Sequence, residues 1–181
     1  YIRVGFDKNK FTIEDNCGGI PLDVAANYAF RFGRPKTVEN SDTETTGIFG
    51  IGMKRALFKI GNNFSIHSIT KTTEFQLNLD VKEWLKKDDN DWDFNFSSYE
   101  ENMNNLEEKT GTRIEVTDLN SEIAAELDSE EFENEVIEHI QRRVGLDIAY
   151  GIVIVVNDKN LVGNNIILID NEEIDPVKEE Y

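Results

Sequence analysis

Three short stretches of the chain carry residue types suited to holding a ligand. In "IEDNCGGI" a carboxylate, Asp15, ends a β-rich run and is closely followed by Gly18 and Gly19. In "TGIFGIGMKRALFKIG", Thr46 to Gly61, the glycines Gly47, Gly50 and Gly52 lead into an amphipathic segment bearing Lys54, Arg55 and Lys59. In "GTRIEV" Gly111 and Thr112 open a strand-like run. Glycines ahead of a helix leave its first N–H groups open to an anion, and the helix dipole adds typically ~0.3–1 kcal/mol. A lone Asp at a strand end is, taken by itself, better suited to capping a helix or turn.

The glycine-rich stretch is neither of the familiar phosphate loops. A P-loop requires G-x-x-x-x-G-K-[ST]. Gly47 and Gly52 have that separation, but Met53 intervenes before Lys54, and Arg55 stands in place of the hydroxyl. The dinucleotide fingerprint is reversed, to G-x-x-G-x-G. What remains is a glycine-lined helix start inside a local basic island. Residues 31–60 hold six basic residues (Arg31, Arg34, Lys36, Lys54, Arg55, Lys59) against three acidic ones (Glu39, Asp42, Glu44), in a chain whose net charge is −17. That pattern fits a compact anionic ligand and argues against a surface that grips nucleic acid broadly.

The elements that must position these residues follow from periodicity. "YIRVGF" and "KFTIEDN" form a hairpin about the turn Asp7–Lys10. Pro21 suits a first helical turn, with Leu22, Ala25, Ala26, Ala29 and Phe30 as a buried face. Residues 33–46 are polar and without hydrophobic period, a length at which a binding or lid role is expected. A helix follows from about Ile51 with Met53, Ala56, Leu57 and Ile60 inward, stopped by Gly61-Asn62-Asn63. "NFSIHSIT" and "TEFQLNLDV" form a second hairpin, "DWDFNFSSY" a further strand, and "GTRIEVTDL" another. Phe132, Val136, Ile140 and Val144 mark an amphipathic helix from about Glu130 to Val144. "GIVIVV" is a fully apolar strand, and residues 157–181 are turns around the short strand "NIILID". This order predicts a sheet with helices layered on one face.

The bulk numbers agree. A chain of 181 residues with 39% hydrophobic content and 11 Phe forms one domain, or one domain plus the start of another. There is no apolar run long enough to span a membrane and no signal-peptide pattern. The single Cys17 excludes an internal disulfide and favours a reducing, cytoplasmic setting. Because residue 1 is Tyr and already strand-like, a natural N-terminal portion is expected ahead of it.

Taken in order, "IEDNCGGI", "GIFGIGMK" and "GTRIEV" resemble the motifs of the GHKL ATPases: gyrase B subunits, the ninety-kilodalton heat-shock chaperones, histidine kinases, MutL repair proteins and Morc proteins. The resemblance covers about residues 1–160 and is best to the chaperone and Morc branches. It implies an α+β, two-layer α/β sandwich with a mixed β-sheet and helices packed on one face. It also implies an ATP-binding domain over residues 1–160, with 161–181 as an extension or the start of a following domain. ATP and Mg2+ are the implied ligands. Asp15 would accept from the adenine amine, Gly19 would let the backbone lie close to the base, and Thr112 would support Asp15 and a water. Gly47, Phe49, Gly50, Ile51, Gly52 and Met53 would offer backbone to the phosphates, with Lys54 as a further contact. Residues 33–46 become a nucleotide lid, and the family implies a homodimer closed by nucleotide. Cys17 departs from the motif's usual glycine.

The family's catalytic Glu and metal-binding Asn belong to a helix upstream of the first strand, so the resemblance places no catalytic and no metal residue in this chain. Glu130 to Asn134 mimics their spacing, but Ile137 replaces the expected Asp and the match lies on the wrong side of Gly111-Thr112. Two functions stay open: an ATPase coupling hydrolysis to conformational change, and a non-hydrolysing nucleotide switch. A histidine kinase is disfavoured, because a helix and the apolar strand extend well past Gly111-Thr112. Any nucleic acid would be met through domains not in this chain. Asp89, Asp91, Asp93, Asn95, Ser97 and Glu100 have calcium-loop spacing, but Phe94 occupies the position that needs Gly. His67 and His139 stand without a carboxylate or cysteine at ligand spacing.

Overall fold

The structure, a computed structural model, describes residues 1–30, 52–86 and 94–163. Strands β1 (Ile2–Phe6) and β2 (Lys10–Asp15) make the first hairpin. Helix α1 (Leu22–Val24) continues as a π-turn over Ala25–Ala29. Helix α2 (Gly52–Ile60) runs directly into β3 (Gly61–Ile69), which pairs with β4 (Thr73–Asp80). Then come α3 (Val81–Trp84), β5 (Phe96–Glu101), β6 (Gly111–Leu119), α4 (Ser121–Leu127), α5 (Glu130–Ala149), β7 (Ile154–Val156) and β8 (Lys159–Asn160). The strands form one eight-stranded sheet in the order β5-β4-β3-β6-β2-β1-β7-β8. All neighbours are antiparallel except β1 and β7, which are parallel. This is the expected α+β fold with a mixed sheet.

Register decides the layers, because alternate side chains of a strand point to opposite faces. Phe11, Val116 and Phe64 stand side by side across β2, β6 and β3, as do Ile13, Ile114 and Ile66, and then Asp15, Thr112 and Ser68. The first two rows lie under the helices. Ile66, Leu77 and Val116 are fully buried there with Leu57, Ala25 and Phe30, each large side chain contributing about 1.5–3 kcal/mol. A second cluster packs Phe132, Val136 and Ile140 of α5 and Leu127 of α4 onto Phe6 and Val156. Phe11 and Leu119 touch both clusters, so the helices share one face. The other face is polar, with Arg3, Glu14, Arg113 and His67 in one row.

Several local readings change. Ala26 is exposed although Ala25 and Phe30 are buried. The π-turn is the reason: the Phe30 amide bonds the Ala25 carbonyl, five residues back, at 3.1 Å, and the wider turn rotates Ala26 outward. Ala56 is likewise exposed, while Met53, Leu57 and Ile60 face inward. The helix ends at Ile60 as read, but Gly61 and Asn63 open β3 by pairing with Leu119 and Thr117. Only Ile154–Val156 of "GIVIVV" is strand, paired in parallel with Ile2–Val4 of β1. Ile152 and Val153 are consequently exposed. Helix α4 was not anticipated, and α5 runs on to Ala149 past a kink at Val144. His67 does have a carboxylate partner: Glu74 Oε1 lies 2.8 Å from its Nε2, brought there by the β3–β4 register. His139 is exposed on α5, as are Glu130 and Asn134. Ser97 and Glu100 lie in β5; Asp89, Asp91 and Asp93 are outside the described residues.

Candidate functional site

The strand ends of β2, β6 and β3 present Asp15, Thr112 and Ser68 in one row on the helix-covered face. Asp15 Oδ1 accepts the Cys17 amide at 2.7 Å, the turn-capping role open to any such residue. Its other oxygen, Oδ2, has no hydrogen-bond partner among the described residues. One oxygen thus holds the turn. Cys17 itself is exposed, so its side chain does not crowd the strand ends.

The turn after Asp15 is pressed against the sheet. Gly19 has φ +75°, and a Cβ on it would overlap the Ile69 carbonyl oxygen and stand 3.2 Å from that of Gly111. A Cβ on Gly111 would in turn overlap the carbonyl oxygen of Asp15. The close approach expected of Gly19 is therefore made first to the protein's own backbone. Thr112 and Ser68 are 8% and 1% exposed. Their hydroxyl oxygens lie 3.1 Å apart, and Ser68 Oγ accepts the Ile20 amide at 2.7 Å. The hydroxyl partner of Thr112 is thus Ser68 and not Asp15. Ser68 was invisible in sequence, since "HSIT" is an ordinary strand end and only the β3–β6 register sets it beside Thr112.

A cleft of about 200 Å³ opens at these strand ends, lined from both faces by residues including Tyr1, Asp15, Ile69, Thr110 and Thr112. On the polar face beside it, the Tyr1 hydroxyl donates to Glu14 at 2.9 Å. That bond, reinforced by Arg113, holds the Glu14 carboxyl below its ordinary value. The arrangement is a structural ion-pair row, since Arg113 also meets Glu115 at 3.1 Å.

Gly52, Met53 and Lys54 are the first three residues of α2. Met53 packs against the core cluster that Ile20 and Leu22 also join, so the helix start and the turn after Asp15 lie on the same side of the sheet. Gly52 has open space where a Cβ would be. Gly47, Phe49, Gly50 and Ile51, and the segment 33–46, lie outside the described residues. Among the described residues no three of His, Cys, Asp and Glu are grouped to hold a metal ion, and no helix is long and apolar enough to cross a membrane.

Residues 1–112, more than half of the chain, match a family model described as histidine kinase-, DNA gyrase B- and HSP90-like ATPase. Among solved structures, the chain is similar to the ATPase region of Saccharomyces cerevisiae topoisomerase II bound to ICRF-187 (dexrazoxane). The TM-score is 0.55 at 13% identity, over 88% of this chain and 42% of that one. At that identity the likeness is one of fold, and the chain spans less than half of that neighbour's length. No curated protein matches the chain.

Proposed function

The chain belongs to the histidine kinase-, DNA gyrase B- and HSP90-like ATPase family, and from that premise we propose that it binds Mg-ATP as the nucleotide domain of a larger ATPase. The observation that carries this reading is Asp15, with one oxygen fixed by the Cys17 amide at 2.7 Å and the other without a partner among the described residues. A carboxylate held this way is an acceptor for the exocyclic amine of adenine, and a charge-assisted bond of that kind is worth about 1.5–3 kcal/mol. Gly19 keeps the turn flat against the sheet, leaving room for the base above it. Thr112 offers its hydroxyl beside Asp15.

The phosphates fall to the start of α2, through the backbone of Gly47, Phe49, Gly50, Ile51, Gly52 and Met53, with Lys54 as a charged contact. Bound ATP supplies the transferable phosphoryl group, and magnesium neutralises its charge. The residues of this chain bind and orient; none is proposed as the general base or as the metal ligand. Residues 33–46 act as the lid, and closure of the lid couples to pairing of two copies. The ATP-binding unit spans residues 1–160, and 161–181 lead out of it.

Isothermal titration of the protein with Mg-ATP tests the proposal. Wild type is expected to bind tighter than millimolar, and Asp15→Asn to lose at least about tenfold, the loss of roughly one charge-assisted hydrogen bond. Affinity no tighter than millimolar, unchanged by Asp15→Asn, would end it. Phosphate release measured on the same samples separates a turning-over ATPase from a switch that only binds.

A further inference from the structure

Five of the ten large apolar side chains exposed among the described residues gather at the C-terminal end of α5. Leu146 and Tyr150 stand one turn apart on the helix, Ile152 and Val153 follow it directly, and Val162 comes back beside it after β8. Tyr150 is 89% exposed and Val162 73%. A single exposed apolar residue needs no explanation, but a group of them marks a surface made to be covered.

The chain is itself led onto this surface. After β8, Leu161 joins the apolar cluster beneath α5, and Gln141 Nε2 donates to the Val162 carbonyl at 2.9 Å. Gly163 then lies so close to the helix that a Cβ on it would stand 2.5 Å from the Ala149 amide nitrogen and 2.6 Å from the Gly145 carbonyl oxygen. Gly145 is itself buried, so the crossing is glycine on glycine. Gly145 and Ala149 make one row of the helix surface, and Leu146 and Tyr150 make the neighbouring one. The path from β8 therefore leaves the sheet edge and climbs onto the helix, one row away from the exposed pair.

Residues 164–181 lie outside the described residues; they read "NNIILIDNEEIDPVKEEY". We propose that residues 166–169 fold back over Leu146 and Tyr150 as a strap, bringing the acidic stretch behind them to Arg142 and Arg143. Asn164-Asn165 suits the turn this needs. In an extended run alternate side chains share a face, so two of the four apolar residues rest on the helix. Tyr150 and Arg143 are about 10 Å apart along the helix axis, and residues 166 to 170 extended cover about 13 Å, so the lengths match. Residues 170–181 carry six acidic side chains and one basic. Arg142 and Arg143 are exposed and make no ion pair among the described residues. A segment tethered this closely acts at an effective concentration on the order of millimolar, which favours it over a second copy or a separate partner. The strap also fixes where the chain leaves the domain, along the helical face and not at the sheet edge.

Hydrogen–deuterium exchange of the whole protein, read by mass spectrometry against a free peptide of residues 163–181, tests the strap. Amides of residues 166–169 should exchange at least about tenfold more slowly in the protein than in the peptide; equal rates overturn the proposal. Leu146→Ser with Tyr150→Ser should abolish that protection and leave β3 and β6 unchanged. Protection that survives the pair also overturns it, since the segment would then be held elsewhere. Protection that grows with protein concentration overturns it in favour of a second copy. Arg142→Glu with Arg143→Glu should lower the protection about threefold, and an unchanged value would overturn the path along α5. If the Leu146→Ser, Tyr150→Ser protein does not fold, as judged by circular dichroism, the strap is altered in its place. Ile166→Ser, Ile167→Ser, Leu168→Ser and Ile169→Ser together should then speed exchange at Tyr150 to Val153 severalfold, and no change there overturns the assignment.

Discussion

Gly19 lies so close to Ile69 that a Cβ on it would overlap the Ile69 carbonyl oxygen and stand 2.7 Å from the carbonyl carbon. Its neighbour Gly18 has a similar left-handed backbone, φ +95° against +75°, but open space around it. Two adjacent glycines thus face different demands. At Gly18 only the backbone conformation asks for glycine, whereas at Gly19 the packing of the turn on β3 asks for it as well. The turn that follows Asp15 is pressed onto β3 at that contact, while Asp15 itself is fixed by its pairing with Ile2 and Thr112 and by the Cys17 amide.

The two positions should separate in an alanine comparison. Gly18→Ala should cost about 1–2 kcal/mol, the left-handed penalty for an L-residue. Gly19→Ala adds backbone displacement and should cost more than ~3 kcal/mol, into the range reserved for steric or strain mechanisms. Urea midpoints of the two variants check this, and equal losses would place the strain in conformation alone.

Asp15 holds the Cys17 amide with one oxygen and is proposed to accept from the base with the other, and substitution can divide the two. Asn keeps the oxygen that accepts from Cys17 and replaces the other with a donor; Ala removes both. Asp15→Asn should therefore keep the wild-type urea midpoint, while Asp15→Ala loses about 0.5–1.5 kcal/mol, one hydrogen bond. Both should bind ATP at least about tenfold more weakly. An Asn variant that lost stability as much as the Ala variant would show that the carboxylate charge, and not the turn, is what Asp15 supplies to the fold.

Much of this architecture was legible because alternation is local. Phe11 and Ile13, or Ile114 and Val116, announce a half-buried strand without knowledge of its neighbours, and Asp15 is recognisable at the end of one. What was not legible depends on partners far along the chain. The bond between Ser68 and Thr112 spans 44 residues and exists only in the β3–β6 register. The contact of His67 with Glu74 needs the hairpin register as well. "GIVIVV" looks like a long strand, but only Ile154–Val156 pairs, with Ile2–Val4 of β1. The exposure of Ala26 beside buried Ala25 and Phe30 follows from a π-turn, which has no simple hydrophobic period to betray it.

The sheet centre should be the least tolerant region. Ile66 is fully buried on β3, with Ile114 opposite on β6 and Leu77 on β4. Ile66→Ala should cost about 2–5 kcal/mol, transfer plus cavity. Leu106, 62% exposed, provides the contrast, and Leu106→Ala should stay within about 0.5 kcal/mol of wild type. Thermal or urea unfolding of both decides it, and a small loss at Ile66 would mean that the helical layer closes over the gap.

Acid should loosen the junction of α5 with the β7–β8 turn before it reaches the sheet centre. Glu133 Oε1 meets Lys159 Nζ at 2.5 Å, and Oε2 accepts Asn157 Nδ2 at 2.9 Å. Lys159 first, and Asn157 after it, hold the Glu133 carboxyl below its ordinary value of 4.5. A carboxyl depressed in the folded state stabilises fully above that ordinary value, and the contribution is lost as pH falls through the lower folded one. Glu133→Gln keeps the shape and removes the titration. The variant should be less stable than wild type at about pH 6, and the two should converge as pH falls through the lowered folded-state value, because protonation removes the same charge from wild type. Asn157 also accepts the Phe6 amide at 2.8 Å, so the turn stays anchored to β1 while the α5 contact weakens. Urea midpoints across that range check the sign, and a gap between wild type and variant that did not change with pH would remove the charge from the account.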